Sequence, residues 1–152
     1  MKHPFLDPET GESHPVTRPG REPQVAALCY RATPEGKDVL LITSRDTGRW
    51  IVPKGWPIDG LDGPGAALQE AWEEAGVAEA EISPKPLGLY DYDKGVSDGE
   101  SVPVTVTVYL ARVTKLRDTY PEVDERTRRW VASAQAATMV DEPELRDILR
   151  NL

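Results

Sequence analysis

The chain has little of what marks secreted, membrane-spanning or nucleic-acid-binding proteins. Its 152 residues include one cysteine, Cys29, which cannot form an intramolecular disulfide and fits a reducing compartment. No apolar run approaches the roughly 18–20 residues of a membrane span, and the N-terminus lacks the apolar segment of a secretory signal. We therefore expect a cytoplasmic protein without a membrane partner.

Positive charge is also scarce. The chain has 18 Lys and Arg against 26 Asp and Glu, and its net charge of -8 disfavours loose attraction to nucleic acid. An anionic ligand therefore needs locally placed cations or a bound metal ion. The length suits one domain with its own core and is too short for two ordinary domains, and it leaves the oligomeric state open.

The composition changes near residue 24. Residues 1–23 hold five prolines and few large apolar groups, which predicts an N-terminal arm and favours a solvated tail over an arm packed on the domain. Residues 24–152 alternate strand and helix patterns as one domain. The predicted strands are residues 25–30 and 39–43 (a hairpin), 50–53, an extended stretch at 82–92, a long strand at 102–113 and a short last strand at 130–131, with closing helices at 134–139 and 143–152.

The remaining segment, residues 55–77, predicts a Gly/Pro-rich loop followed by a two-faced helix that ends at Gly76. Apolar spacing predicts a buried stripe of Leu68, Ala71, Trp72 and Ala75, with Gln69, Glu70, Glu73 and Glu74 on the opposite side. Like charges three and four residues apart each cost about 0.2–0.5 kcal/mol in an isolated helix. A hard divalent cation such as Mg2+ would offset that repulsion.

This segment resembles the Nudix hydrolase signature, G-x5-E-x7-R-E-U-x-E-E-x-G-U, in which U is aliphatic. The matching residues are Gly55, Glu70, Ala71, Glu73, Glu74, Gly76 and Val77. Leu61 stands where the family has its first Glu, and Gln69 stands where it has Arg. Asp59 or Asp62 could stand in for the missing acid, or each could serve as a turn residue.

The resemblance implies an α/β fold, the Nudix-type α/β/α sandwich with a central mixed β-sheet, from about residue 24 to the end. Ser44-Arg45, residues 49–53 and the helix are similar to the diphosphoinositol polyphosphate phosphohydrolase branch of the family. That similarity implies hydrolysis of a phosphoanhydride bond in a nucleoside polyphosphate, a dinucleoside polyphosphate or a diphosphoinositol polyphosphate. The expected partner is thus a phosphorylated small molecule.

The resemblance also implies site residues. It makes Glu70, Glu73 and Glu74 the catalytic acids and the ligands of Mg2+, with Mn2+ as the alternative cation. One of these three acids, or a later acid, would act as the base toward the attacking water. The candidates for the later acid are Glu122 and Glu125, in the charged segment before the last strand.

Three cations end predicted strands near the loop before the helix: Arg45, Arg49 and Lys54. There they could bind phosphates that a metal ion leaves uncovered, although a role in surface solubility is the equal alternative.

Two other functions remain open on the same fold. A non-catalytic module could bind a ligand without turning it over, and an RNA 5′-pyrophosphohydrolase would share the metal chemistry. The three mutually repelling acids favour an enzyme over a binding module. The acidic balance and the lack of a basic stripe make an RNA substrate the weaker alternative.

Overall fold

A computed structural model describes residues 6–7 and 9–152, within which the chain forms eight strands and three helices. The strands are β1 (Glu22–Thr33), β2 (Gly36–Thr43), β3 (Trp50–Ile51), β4 (Lys54–Gly55), β5 (Val77–Ile82), β6 (Gly88–Gly95), β7 (Ser101–Leu116) and β8 (Arg128–Ala132). The helices are α1 (Gly63–Ala75), α2 (Ser133–Met139) and α3 (Pro143–Arg150).

All the described strands join one mixed sheet. Its main path runs β3-β2-β1-β7-β5, while β4 pairs with β1, β6 with β7 and β8 with β2. β1 and β7 are parallel, from Glu22 opposite Val104 to Tyr30 opposite Arg112, and the other pairs are antiparallel. The predicted central mixed sheet and the β1–β2 hairpin are therefore confirmed.

Helices cover both faces of this sheet. Leu40 and Ile42 pack in one core with Ala67 and Ala71 of α1. The intervening Leu41 faces the other side, where the core includes residues of α2 and α3. A strand covered on both faces needs a continuous apolar run, which is what residues 39–42 supply. The predicted α/β/α sandwich is confirmed.

The long strand β7 also buries both of its faces, although one of them is polar. Thr105 and Thr107 are fully buried. The backbone N–H of Val16 donates to Thr107 Oγ1 at 3.0 Å, and that of Arg18 donates to Thr105 Oγ1 at 3.3 Å. The N-terminal segment thus covers the threonine face of β7.

The expectation of a solvated N-terminal tail is therefore wrong for residues 13–18. Ser13 is fully buried, and the Arg18 guanidinium bonds both carboxylate oxygens of Glu144 on α3, at 2.9 and 2.8 Å. Polar partners on β7 and α3 anchor this segment, so it does not need large apolar groups. Residues 1–5 and 8 of the predicted arm lie outside the described residues, and the division at residue 24 stays a prediction.

Element bounds differ from the expectations in several places. The strand predicted at residues 50–53 gives way to two short strands, β3 and β4, and β5 begins at Val77, before the extended stretch predicted at residues 82–92. Within that stretch, Pro84 and Pro86 lie in the connection between β5 and β6, because proline cannot donate to a strand ladder. The last helix ends at Arg150, two residues earlier than predicted. Across the described part of the chain, no helix has the length and apolarity to cross a membrane.

Candidate active site

Helix α1 begins and ends with the residues that the sequence indicated. Asp62 is the N-cap, and its Oδ1 accepts the Gly65 N–H at 3.0 Å. Pro64 lies in the first turn, and Gly76 closes the helix in the left-handed conformation with φ of 72°. Asp62 is thus a capping residue, because its carboxylate is directed at the helix backbone.

The buried face of α1 differs from the predicted stripe. Ala67, Ala71 and Ala75 are fully buried, and Glu74 is only 5% exposed, whereas Leu68 and Trp72 are half-buried. Small alanines let the helix approach the sheet closely, and Glu74 follows Ala67 and Ala71 by seven and three residues. The prediction that Glu74 lies on the outer side is therefore wrong. The alanines were the signal in the sequence for the true inner face.

Glu70 and Glu74 form a close carboxylate pair next to the loop that joins β4 to α1. Burial raises the pKa of Glu74 to about 8, and the hydrogen bond with Glu70 adds to that rise. Burial also raises the pKa of Glu70, with the charges of Glu73 and Glu122 contributing. The Glu74 Oε1 accepts the backbone N–H of Lys54 at 3.4 Å. Near neutral pH the pair therefore holds a proton in the metal-free protein.

Gly55 makes room for this pair. A Cβ atom at Gly55 would lie 2.5 Å from Glu70 Oε1 and 2.6 Å from its Oε2. Gly55 is in β4, opposite Val25 of β1. The carboxylate of Glu70 thus rests directly against a strand that has no side chain at this point, which gives the signature glycine a steric reason in this chain.

Glu73 points away from the pair. Its Oε1 accepts a hydrogen bond from Gln69 Nε2 at 3.0 Å, one helical turn earlier. In the part of the chain that the structure describes, no three His, Cys, Asp or Glu side chains are already grouped to hold a metal ion. Of the three predicted acids, the fold therefore brings Glu70 and Glu74 together and leaves Glu73 apart.

The two candidate later acids differ in their surroundings. The Glu122 side chain is 17% exposed, and its backbone N–H donates to the Glu73 carbonyl at 2.9 Å. The Glu125 side chain is 48% exposed and pairs with Arg45 at 3.3 Å. Glu122 is the later acid that is close enough to the pair for its charge to raise the pKa of Glu70.

Arg126 is a site residue that the sequence did not single out. Its side chain is 7% exposed, its Nε donates to Glu122 Oε1 at 3.0 Å, and its NH2 group lies 3.8 Å from Glu74 Oε1. A third contact runs from NH1 to the Thr43 carbonyl at 3.1 Å. In the sequence, only the four-residue spacing between Glu122 and Arg126 indicates an ion pair. The contact of Arg126 with Glu74 joins separate elements, so the sequence pattern does not reveal it.

The three predicted phosphate-binding cations lie along one groove. Two adjoining cavities, of about 260 and 390 Å3, share Arg45 and Lys54, and Arg49 lines the second of them. Lys94 of β6 and Arg126 line both cavities, and Glu70 and Glu74 line the first. A chain with a net charge of -8 thus gathers cations around its buried acid pair.

Each of these cations has acidic neighbours. Arg45 lies 3.6 Å from Glu122 as well as beside Glu125. The Arg49 NH1 group lies 2.7 Å from Oε1 of Glu142, which is only 5% exposed. Burial lowers the pKa of Lys54 to about 8, and the charge of Glu74 opposes that shift. These acids therefore partly compensate the positive charge of the groove.

The two departures from the signature share the outer side of α1. Leu61 is 46% exposed, and together with Gln69 and Trp72 it lines a separate cavity of about 480 Å3 between α1 and β5. Glu70 and Glu74 line the groove on the other side of the helix. The replacements thus alter the surroundings of Glu73 and leave the contact between Gly55 and Glu70 in place.

Comparisons with known proteins agree with this architecture. A family model described as the NUDIX domain matches residues 22–152. Human diphosphoinositol polyphosphate phosphohydrolase 3-alpha is 41% identical over 113 residues, which are 73% of this chain and 64% of that protein. Mouse diphosphoinositol polyphosphate phosphohydrolase 2 is 40% identical over 115 residues, which are 74% of this chain and 59% of that protein.

Solved structures share the fold at lower identity. A Caenorhabditis elegans Ap4A hydrolase has a TM-score of 0.66 at 23% identity, covering 85% of this chain and 93% of its own. The NUDIX domain of Shewanella oneidensis NrtR, solved with ADP ribose, has a TM-score of 0.60 at 17% identity, covering 96% and 92%.

The chain belongs to the Nudix hydrolase family. The predicted family and its similarity to the diphosphoinositol polyphosphate phosphohydrolase branch are confirmed. The chain spans less than two thirds of the length of these curated relatives, at 64% and 59%.

Proposed function

We propose that the protein is a Mg2+-dependent hydrolase of a phosphoanhydride bond in a nucleoside polyphosphate, a dinucleoside polyphosphate or a diphosphoinositol polyphosphate. The observation that carries this proposal is the buried Glu70–Glu74 pair, which opens into a groove lined by Arg45, Lys54 and Arg126. Carboxylates suit a hard cation, and guanidinium and ammonium groups suit phosphates.

The acid pair fits a divalent cation on chemical grounds. Two desolvated carboxylates share a proton because they cannot both ionise cheaply, as the raised pKa of Glu74 indicates. A divalent cation can replace that proton. Glu70 and Glu74 would hold Mg2+, or Mn2+ in its place, and Glu73 would complete the set by giving up its hydrogen bond to Gln69. The bound ion would neutralise phosphate charge and acidify a water molecule.

The chain's own groups supply the rest of the proposed chemistry. Arg45, Arg49 and Lys54 bind and orient the phosphates along the groove. A phosphate arriving beside Lys54 favours its protonated form, because an opposite charge raises an ammonium pKa. Glu122, the better buried of the two later acids, accepts the proton of the attacking water.

Substrate class rests on similarity and on charge. The curated relatives are named as diphosphoinositol polyphosphate phosphohydrolases, and one structural neighbour is named as an Ap4A hydrolase. Compact polyanions match a short cationic groove on an otherwise acidic chain. An RNA 5′ end is the weaker candidate, because phosphates beyond the groove would meet the acidic surface.

The decisive experiment measures phosphate release from a substrate panel with and without Mg2+, and with Mn2+ as a second cation. The panel holds diadenosine polyphosphates, ADP-ribose, nucleoside triphosphates, triphosphate and capped RNA, and an inositol pyrophosphate. Turnover of at least one compact phosphoanhydride that disappears with chelator is expected. If no compound of the panel is hydrolysed and one of them binds tightly, the result would instead support a binding module.

Matched variants test the residues. Glu70→Gln and Glu74→Gln keep the shape of the side chains and remove their charge, so kcat should fall on the order of 100-fold. The control is Glu35→Gln in the exposed turn after β1, which should keep wild-type activity. Full activity of Glu74→Gln would refute its role.

A further inference from the structure

The cation nearest the acid pair comes from outside α1. Gln69 occupies the position where the signature has Arg, and its amide bonds to Glu73 at 3.0 Å on the outer side of the helix. A neutral amide there leaves the buried pair without charge compensation from its own helix. Arg126 lies across the groove, next to Glu74 and 7% exposed.

The contacts of Arg126 define one orientation. Its Nε–H and NH1 groups donate to Glu122 Oε1 at 3.0 Å and to the Thr43 carbonyl at 3.1 Å. The planar guanidinium holds these donors in a rigid fork, so two bonds fix the direction of the third group. That third group, NH2, lies 3.8 Å from Glu74 Oε1. Arg126 therefore connects a strand, a turn and a helix at one point.

Glu122 is held from two sides. Its backbone N–H donates to the Glu73 carbonyl at 2.9 Å, which docks the turn onto the last part of α1. Its carboxylate accepts the bond from Arg126 Nε. The side chain consequently has little freedom to turn towards solvent. Glu125, three residues further on, lacks this restraint and is 48% exposed.

We propose that Arg126 is a positioning residue that fixes the carboxylates of Glu74 and Glu122 relative to each other, and that it supplies from outside α1 the positive charge that Gln69 lacks. This inference rests on the proposed function, because it concerns the same acid site. It assigns Arg126 no reacting atom: Arg126 acts through the two acids that it holds.

The test uses Mn2+ alone as the probe, with the full-length chain and Arg126→Gln, Arg126→Lys and Arg129→Gln variants. Removing a nearby cation would tighten Mn2+ binding on Coulomb grounds alone. Loss of positioning acts in the opposite direction, because losing the partner of a metal-binding side chain typically weakens affinity about 10–100-fold. The sign of the change therefore distinguishes the two effects.

We expect Arg126→Gln to weaken Mn2+ binding about 10–100-fold and to lower kcat with little change in KM. Arg126→Lys keeps the buried charge without the fork and should lie between this variant and the wild type. Arg129→Gln removes the same charge from an exposed position on β8 and should bind Mn2+ within about twofold of wild type. Unchanged or tighter Mn2+ binding in Arg126→Gln overturns the proposal, as does a rise in KM with kcat preserved.

A double variant adds an independent check. If Arg126 acts through the acids that it holds, then adding Glu122→Gln to Arg126→Gln should weaken Mn2+ binding no further, because Arg126→Gln has already removed the bond between Arg126 and Glu122. Additive losses contradict the proposal. Arg126→Lys and Glu122→Gln carry the test if Arg126→Gln fails to fold. If Mn2+ affinity depends on Arg126 as expected but the wild-type chain hydrolyses no compound of the panel, the proposed function alone is refuted.

Discussion

A single methyl group at Gly55 is expected to disable the site while leaving the fold intact. In Gly55→Ala the new carbon would lie 2.5 Å from Glu70 Oε1, where ordinary contacts are 3.4–4 Å. The carboxylate of Glu70 must therefore move by roughly 1 Å, and a misplacement of that size can cost about 100-fold in rate. We expect kcat to fall on the order of 100-fold.

The loss of activity in Gly55→Ala should not be accompanied by a loss of stability. The displaced atoms are the end of a flexible side chain, which can turn aside at little cost. Gly55 is also absent from the described glycines with positive φ, so alanine fits its backbone. Replacing glycine at such a position stabilises by about 0.4–1 kcal/mol through the unfolded chain. The melting temperature should be unchanged or a few degrees higher.

The assay compares kcat for the best panel substrate with thermal unfolding followed by circular dichroism. Gly95→Ala is the matched control, because a Cβ atom there would meet nothing within 4 Å. It should keep wild-type activity and, like Gly55→Ala, be as stable as the wild type or slightly more stable, because the same effect on the unfolded chain applies. A Gly55→Ala variant with kcat within twofold of wild type would refute the steric argument, and so would a loss of folding.

Three further predictions concern stability and reactivity. Gly76→Ala should lower the free energy of unfolding, measured by urea denaturation, clearly more than Gly99→Ala does. Both glycines have positive φ, which strains an alanine. Of the two, only Gly76 has a close neighbour for the new Cβ atom, the Arg117 carbonyl oxygen at 2.8 Å. Arg18→Gln should destabilise the protein at pH 7 by about 1 kcal/mol or less, since the ion pair between Arg18 and Glu144 is partly exposed. The hydrogen bond from Arg18 lowers the pKa of Glu144 below its usual 4.5, so this stabilisation is present above that pH and is lost as the pH falls through the folded value. The destabilisation should shrink as the pH is lowered from 7 through the acid range, and an effect that stays constant until the protein unfolds would contradict it. Burial raises the pKa of Cys29 to about 12, so iodoacetamide at pH 8 should label this thiol only after unfolding, as mass spectrometry can check.

Local patterns predicted most of the architecture. The continuous apolar runs of β1 and β2, the alternation along β7 and the proline and glycine at the ends of α1 each report on their own neighbourhood, and the structure agrees with them. The candidate acids and cations also followed from sequence, and the fold brings Glu70, Glu74, Arg45 and Lys54 to one groove.

Other features depended on contacts between distant segments. The burial of Glu74 depends on how closely the alanine face of α1 approaches the sheet, and periodicity alone does not measure that distance. The placement of residues 13–18 depends on threonines 87 and 91 residues further along the chain, so the composition of this segment alone indicated a tail.

The sequence by itself determined most of the elements, the family signature and the candidate acids, because these depend on side-chain periodicity and on spacing within one segment. Tertiary structure decided which acid is buried and which acid beyond the helix lies beside it. It also brought Arg126 to both of them. Those outcomes depend on electrostatic and packing contacts between α1, β2 and the turn before β8, whose relative positions exist only in the folded chain.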